Sequence, residues 1–214
     1  PRAGTGSTLS EFIRLLARLP RRRARIGLLG GSFNPAHDGH LYISQVALRR
    51  LGLDRVWWLV SPGNPLKKKS GMASLQARLS HAHLIARDSG RIDVSDLERE
   101  IQTVYTIDTV GYLNRVLPHV KFVWLMGADN LTQIPEWRRW PLLFRVLPIA
   151  VFDRSTYARE ALLSEAGRFF ARSRLPSRMA GRLGYSKSPT WVFVRSRLHP
   201  ESGTRLRRQG MWRC

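Results

Sequence analysis

Short apolar runs alternate with helix-like stretches along most of this chain, and that alternation leaves few folds open. Ile26-Gly27-Leu28-Leu29, Val56–Val60, Ile92–Val94, Lys121–Met126, Ile149–Phe152 and Trp191–Val194 read as strands. Between them, residues 40–51, 73–87, 106–116 and 135–147 read as helices, the last with Pro135 in its first turn, and a final helix is expected to start near Ser202. Strands that alternate with helices predict an α/β fold: a Rossmann-like, doubly wound, mainly parallel sheet with helices on both faces. Ligands in such folds bind outside the carboxyl ends of the strands. The segments to search for chemistry are therefore Gly30–His40, Ser61–Lys67 and Gly127–Asp129, each of which directly follows an expected strand.

Residues 1–24 stand apart from this pattern. They read as a basic, partly helical extension, in which Ser10 caps a short helix carrying Phe12, Ile13, Leu15, Leu16 and Leu19, and Pro20 with Arg21–Arg23 ends it. Residues 25–214 read as a single domain. No apolar run reaches the ~18 residues of a membrane span, and the N-terminus lacks the layout of a secretory signal. The single cysteine, Cys214, offers no intramolecular disulfide and no cysteine-based zinc site, so a cytoplasmic setting is expected. The formal net charge is +21, from 36 Lys and Arg of which five are Lys. A basic nucleic-acid-binding module would gather arginines and aromatics on one element. Here they are scattered, which reads as a compositional preference, although the summed field still helps anionic substrates approach.

The Gly30-Gly31 pair lets the backbone turn sharply and approach a ligand closely, so that its N–H groups face a phosphate. The helix that follows adds its positive end to the same place. His37 and His40, three residues apart, share one side of a helical turn and can donate hydrogen bonds to phosphate oxygens. Rival motifs are missing: there is no G-x-x-x-x-G-K-[ST], no G-x-G-x-x-G and no H-E-x-x-H. His81 and His83, two apart, cannot share a helix face and are given no role.

Gly30-Gly31-Ser32-Phe33-Asn34-Pro35-Ala36-His37-Asp38-Gly39-His40 resembles the signature of the H-x-G-H nucleotidyltransferase superfamily in its nicotinate-mononucleotide adenylyltransferase form. Other segments agree in order: Ser61–Lys67, Tyr105-Thr106-Ile107-Asp108-Thr109, Leu125–Asp129 with Trp137 and Trp140, and Ser202-Gly203-Thr204-Arg205-Leu206-Arg207. The closing segment departs from the family pattern at Glu201 and Gly203. The resemblance implies transfer of the adenylyl group of ATP, carried with Mg²⁺, to nicotinate mononucleotide, giving deamido-NAD and pyrophosphate. It assigns His37, His40 and Arg207 to catalysis. Gly30, Gly31, Ser32, Phe33, Gly127, Asp129, Ser202, Thr204 and Arg207 join the histidines in holding ATP, while Asn34, Lys67, Thr106, Asp108 and Trp137 hold the mononucleotide, with Trp137 stacking on the pyridine ring. Backbone N–H groups near Thr106 and Arg138 would receive the nicotinate carboxylate. No resident metal site, nucleic acid or membrane partner is implied, and a homo-oligomer is left open. Nicotinamide-mononucleotide or pantetheine-phosphate adenylyl transfer remain alternatives. So does a tRNA-charging enzyme, whose second motif Tyr185-Ser186-Lys187-Ser188 resembles faintly.

Overall fold

The computed structural model describes residues 8–20, 23–63, 72–153 and 158–195. Helix α1 (Thr8–Ala17) precedes β1 (Arg25–Gly31), α2 (Asp38–Arg50), β2 (Arg55–Val60), α3 (Leu75–Ala86) and β3 (Ile92–Ser95). Then come α4 (Leu97–Glu100), α5 (Thr106–Val116), β4 (Lys121–Gly127), α6 (Ala128–Gln133), α7 (Trp140–Val146) and β5 (Ile149–Phe152). Helices α8 (Ala158–Leu163) and α9 (Glu165–Phe169), strand β6 (Arg174–Leu175), a 3-10 segment (Ser177–Tyr185) and β7 (Trp191–Val194) follow. The strands form one sheet in the order β3-β2-β1-β4-β5-β7-β6, with parallel pairing throughout. The expected doubly wound α/β sheet is the one observed.

The two faces of the sheet follow from the twofold alternation of side chains along a strand. Ile26, Leu28, Trp57, Leu59, Phe122, Trp124 and Trp191 belong to one buried cluster, with the inner faces of α5 and α7. Leu29, Val56, Trp58, Val60, Val123, Leu125 and Val192 belong to the other, with α2 and α3. Trp57 and Trp58 are adjacent in sequence, lie on opposite faces, and are both fully buried. Burial of one such side chain stabilises the fold by roughly 2–3 kcal/mol, so both faces hold substantial cores. Helix α1 joins the first cluster through buried Leu15, and Arg18 just beyond it donates to Asp93 of β3 at 2.7 Å. Arg55 grips the same carboxylate at 2.6 and 2.9 Å.

Several boundaries differ from those expected. β1 runs through Gly30 and Gly31, which pair with Leu59 and Val60, so the glycines end the strand and the turn lies beyond them. Helix α1 begins at Thr8 and encloses Ser10, which therefore does not cap it. The single helix expected over 135–147 is broken. A 3-10 turn (Ile134–Glu136) is followed by extended Trp137 and left-handed Arg139 (φ 51°), and α7 starts afresh at Trp140. Pro141 explains the break: proline lacks an N–H and suits the first turn of a helix, so a new helix starts there. α4, α6, α8, α9, β6 and the 3-10 segment were not expected at all. The helix expected near Ser202 lies outside the described residues.

Candidate active site

Strand order reverses between β1 and β4, the innermost neighbours, whose crossover connections leave toward opposite edges of the sheet. A crevice opens at the carboxyl end of such a switch point. Both strands end there in glycine, Gly31 and Gly127. Beyond β1, Phe33 adopts a left-handed conformation (φ 46°), uncommon for a bulky residue, with its ring 2% exposed. That ring packs on Trp58 at 5.2 Å and on the His40 imidazole at 4.7 Å. Phe33 therefore reads as the wedge that sets the turn.

His37 and His40 form a reciprocal cap at the start of α2. The His37 side chain accepts from the Gly39 N–H at 3.1 Å, and the His40 side chain accepts from the His37 N–H at 3.2 Å. Both acceptors are Nδ1 atoms, which places the proton of each neutral ring on Nε2. The rings lie 3.9 Å apart, so the two Nε2–H groups belong to one small site. Ser44, four residues beyond His40 on the same helix and fully buried, locks this arrangement. Its hydroxyl donates to the His40 carbonyl at 2.8 Å and accepts from the Trp58 indole N–H at 2.8 Å.

Arg78 is the group that sequence reasoning missed. Its side chain is almost wholly buried, and its partners among the described residues are all carbonyl oxygens. It donates to Ser32 at 2.6 Å, Ser61 at 2.7 Å, Ala73 at 3.1 Å and Pro62 at 3.4 Å. One guanidinium thus ties the turn after β1 to the loop after β2 and to the entry of α3. Burial pulls its pKa below the ordinary guanidinium value, yet arginine stays charged in proteins. It therefore also contributes positive potential behind the turn after β1. Asn34 supports the same junction, its side-chain oxygen accepting from the Ala73 N–H at 3.3 Å. Nothing in the spacing of Arg78 distinguished it from the other arginines, because its partners are backbone atoms of distant segments.

A second group of residues gathers around α5 and the broken helix. Thr106 opens α5 and Asp108 lies in its first turn, half-exposed. Arg138 lies 3.8 Å from the Asp108 carboxylate and 4.7 Å from the Tyr105 ring centre. Trp137 is half-buried and meets Trp124 edge-to-face at 6.3 Å and 88°. Trp124 in turn reaches back to β1: a Cβ placed on Gly30 would sit 2.5 Å from its ring. Gly30, Trp124 and Trp137 therefore form a continuous packed line between the two groups. Behind α5, Glu98 is 7% exposed and accepts from the Thr109 hydroxyl at 3.3 Å, with Thr109 and Thr103 hydroxyls 2.8 Å apart. Burial pushes the Glu98 carboxyl up to about 7, while its hydrogen bonds with Thr109 and Ser61 pull the other way.

Asp129 is the second residue of α6, immediately after β4. Lys67, Ser202, Thr204 and Arg207 lie outside the described residues, as do Glu201 and Gly203. Among the described residues no cluster of three or more His, Cys, Asp or Glu side chains could hold a metal, and no helix is long and apolar enough to cross a membrane. Tyr185–Ser188 lies at the amino end of the sheet, beside Arg25 and Lys121, the first residues of β1 and β4. It is thus remote from the histidines, which removes it as a second nucleotide motif of a tRNA-charging enzyme.

A parallel sheet with paired histidines at its switch point defines a nucleotidyltransferase of the cytidylyltransferase-like family, which matches residues 28–209. Among similar chains, a probable nicotinate-nucleotide adenylyltransferase of Parvibaculum lavamentivorans is 47% identical, covering 88% of this chain and 93% of the relative. One of a Bradyrhizobium species is 48% identical, covering 88% and 98%. The chain belongs to the nicotinate-nucleotide adenylyltransferase family. In fold it is similar to the Plasmodium falciparum nicotinic acid mononucleotide adenylyltransferase solved with NaAD, with a TM-score of 0.66 at 16% identity over 86% of this chain and 83% of that one. The same enzyme solved with APC gives a TM-score of 0.64 at 15% identity, over the same shares.

Proposed function

We propose that this chain joins ATP to nicotinate mononucleotide, releasing deamido-NAD and pyrophosphate in NAD biosynthesis. The observation that carries the proposal is the pair of imidazoles whose Nδ1 atoms both accept from backbone N–H groups at the start of α2, so that two Nε2–H donors serve one site at the β1–β4 switch point. Family membership supports the same reading.

In the reaction an oxygen of the mononucleotide 5′-phosphate attacks the α-phosphorus of ATP, and the bond from that phosphorus to the pyrophosphate oxygen breaks. The attacking phosphate already carries its negative charge, so no general base is needed. The protein gains rate by alignment and by donors placed where charge grows. His37 and His40 supply such donors. Gly30, Gly31, Ser32 and Phe33 offer backbone contacts to the nucleotide, and Gly127 and Asp129 flank the adenosine ribose. Ser202, Thr204 and Arg207 hold the leaving pyrophosphate, with Arg207 completing the catalytic set. Mg²⁺ arrives as part of the ATP substrate and is held by its phosphates, in keeping with a described site rich in N–H donors.

The mononucleotide takes the α5 side. Lys67 and Asn34 lie toward its phosphate, Thr106 and Asp108 hold its sugar and base, and Trp137 stacks on the pyridine ring. Arg138, over Tyr105 and beside Asp108, favours a ring bearing a carboxylate over one bearing a neutral amide. Side-by-side turnover with ATP, Mg²⁺ and each mononucleotide tests this directly. Pyrophosphate should be released fastest with nicotinate mononucleotide. Turnover with neither pyridine substrate overturns the proposal, and a preference for the amide reassigns the acceptor.

A further inference from the structure

The catalytic crevice uses the carboxyl ends of the strands. A separate cavity of about 900 Å³ lies at their amino ends. Its wall includes the first residues of β1 and β4, Arg25 and Lys121, together with Arg23, Arg145 and Lys187, and among the described residues no Asp or Glu lines it. Arg25 already has a carboxylate, Asp54, at 3.5 Å. The other four form no ion pair among the described residues. Helices α5 and α7 end close by, at Val116 and Val146, and their carbonyl ends attract cations. Each such end is worth about half a negative charge. Two of them leave most of the charge of four cations uncompensated.

A second observation gives the cavity a shape preference. Tyr185 is 72% exposed, unusually open for an aromatic side chain, yet it is held in place. The Arg25 guanidinium donates to its hydroxyl at 2.6 Å and lies 5.1 Å from its ring centre. The chain around it is tied down as well: Ser186 donates to the Leu183 carbonyl from its N–H and to the Arg182 carbonyl from its hydroxyl, and Thr190 donates to the Lys187 carbonyl. A fixed aromatic face beside unpaired cations suits a flat ring carrying several negative charges. The half-open cavity has room for one small molecule.

We propose that this amino-end cavity is a second binding site, for a nucleotide-sized polyphosphate, separate from the catalytic crevice. Equilibrium dialysis with ATP should find two sites on the wild-type protein. The double variant Arg145→Glu/Lys187→Glu should weaken one of them at least tenfold while kcat and the KM for ATP stay unchanged, and His40→Ala should weaken only the other. If the charge reversal impairs folding, Arg145→Gln/Lys187→Gln reads the same loss. Inorganic tripolyphosphate should bind the cavity more weakly than ATP, since it has no ring for Tyr185. A single ATP site, untouched by either double variant, overturns the proposal. So does tighter binding of a single-stranded RNA than of ATP at Arg145 and Lys187, which would hand the surface to nucleic acid.

Discussion

Replacing Arg78 by methionine removes a buried charge of similar length and leaves the carbonyls of Ser32, Ser61, Ala73 and Pro62 without their donor. Hydrogen bonds from a charged group contribute about 1.5–3 kcal/mol each. The two short bonds, to Ser32 and Ser61, should carry most of the loss. Against this stands relief of the cost of burying a guanidinium, itself several kcal/mol. The net expectation is a destabilisation of about 3 kcal/mol, and in a chain of this size each kcal/mol lowers Tm by about 2–4 °C. Thermal unfolding of Arg78→Met should therefore fall by roughly 10 °C. Because the Ser32 carbonyl anchors the turn after β1, the KM for ATP should rise in the same variant. Arg78→Lys keeps the charge but has a single ammonium for oxygens on three segments, and should fall between the two. A methionine variant that melts within about 2 °C of wild type, with an unchanged KM for ATP, would show that the guanidinium bonds only offset the cost of burying it.

His40→Ala should lower kcat by about 10²–10³ with the fold intact, as loss of one donor at a developing charge does elsewhere; near-normal turnover removes His40 from the mechanism. Trp137→Ala should raise the KM for the mononucleotide about tenfold, the equivalent of ~1.4 kcal/mol of lost ring contact, and leave that for ATP nearly unchanged. Equal effects on both substrates would make Trp137 a packing residue only. Glu98 gives a pH signature. Its folded pKa of about 7 lies above its ordinary value of 4.5, so its contribution is most favourable below that ordinary value. It is lost as the pH rises toward 7, and at pH 8 the ionised buried carboxylate costs about 3 kcal/mol. Glu98→Gln should therefore raise Tm relative to wild type at pH 8 and not at pH 4; a pH-independent difference would place the titration elsewhere.

The parallel architecture was legible because its strands are buried on both faces and read as unbroken apolar runs, the stretch after Lys121 up to Met126 most clearly. The position of the histidine pair was legible because its geometry is local: the end of β1, the cap, the ring pair and the start of α2 lie within Gly30–His40. The apolar pattern sets Trp137 in a helix, whereas the structure holds it extended between two short helical segments. Pro141 divides what apolar periodicity joined, and Trp137 therefore does not share a helical face with Trp140. Short elements such as α6, α8 and α9 have too few turns to show a period. Arg78, Ser44 and Glu98 were invisible for another reason. Each acts through partners far away in sequence or through backbone atoms, and only folding brings Ser32, Ser61 and Ala73 around one guanidinium.

The close approach of Trp124 to Gly30 means that the sizes of these two residues are one shared quantity. A methyl group at position 30 would occupy space that the indole already fills, 2.5 Å from its ring. The same indole buttresses Trp137. Enlarging the glycine should thus be felt at Trp137 as well as in the strand that contains it, and trimming Trp124 to phenylalanine in the same chain should restore part of what was lost. Within this fold the sizes of the two positions are expected to change together, so that a substitution in β1 is registered across the sheet face at Trp137.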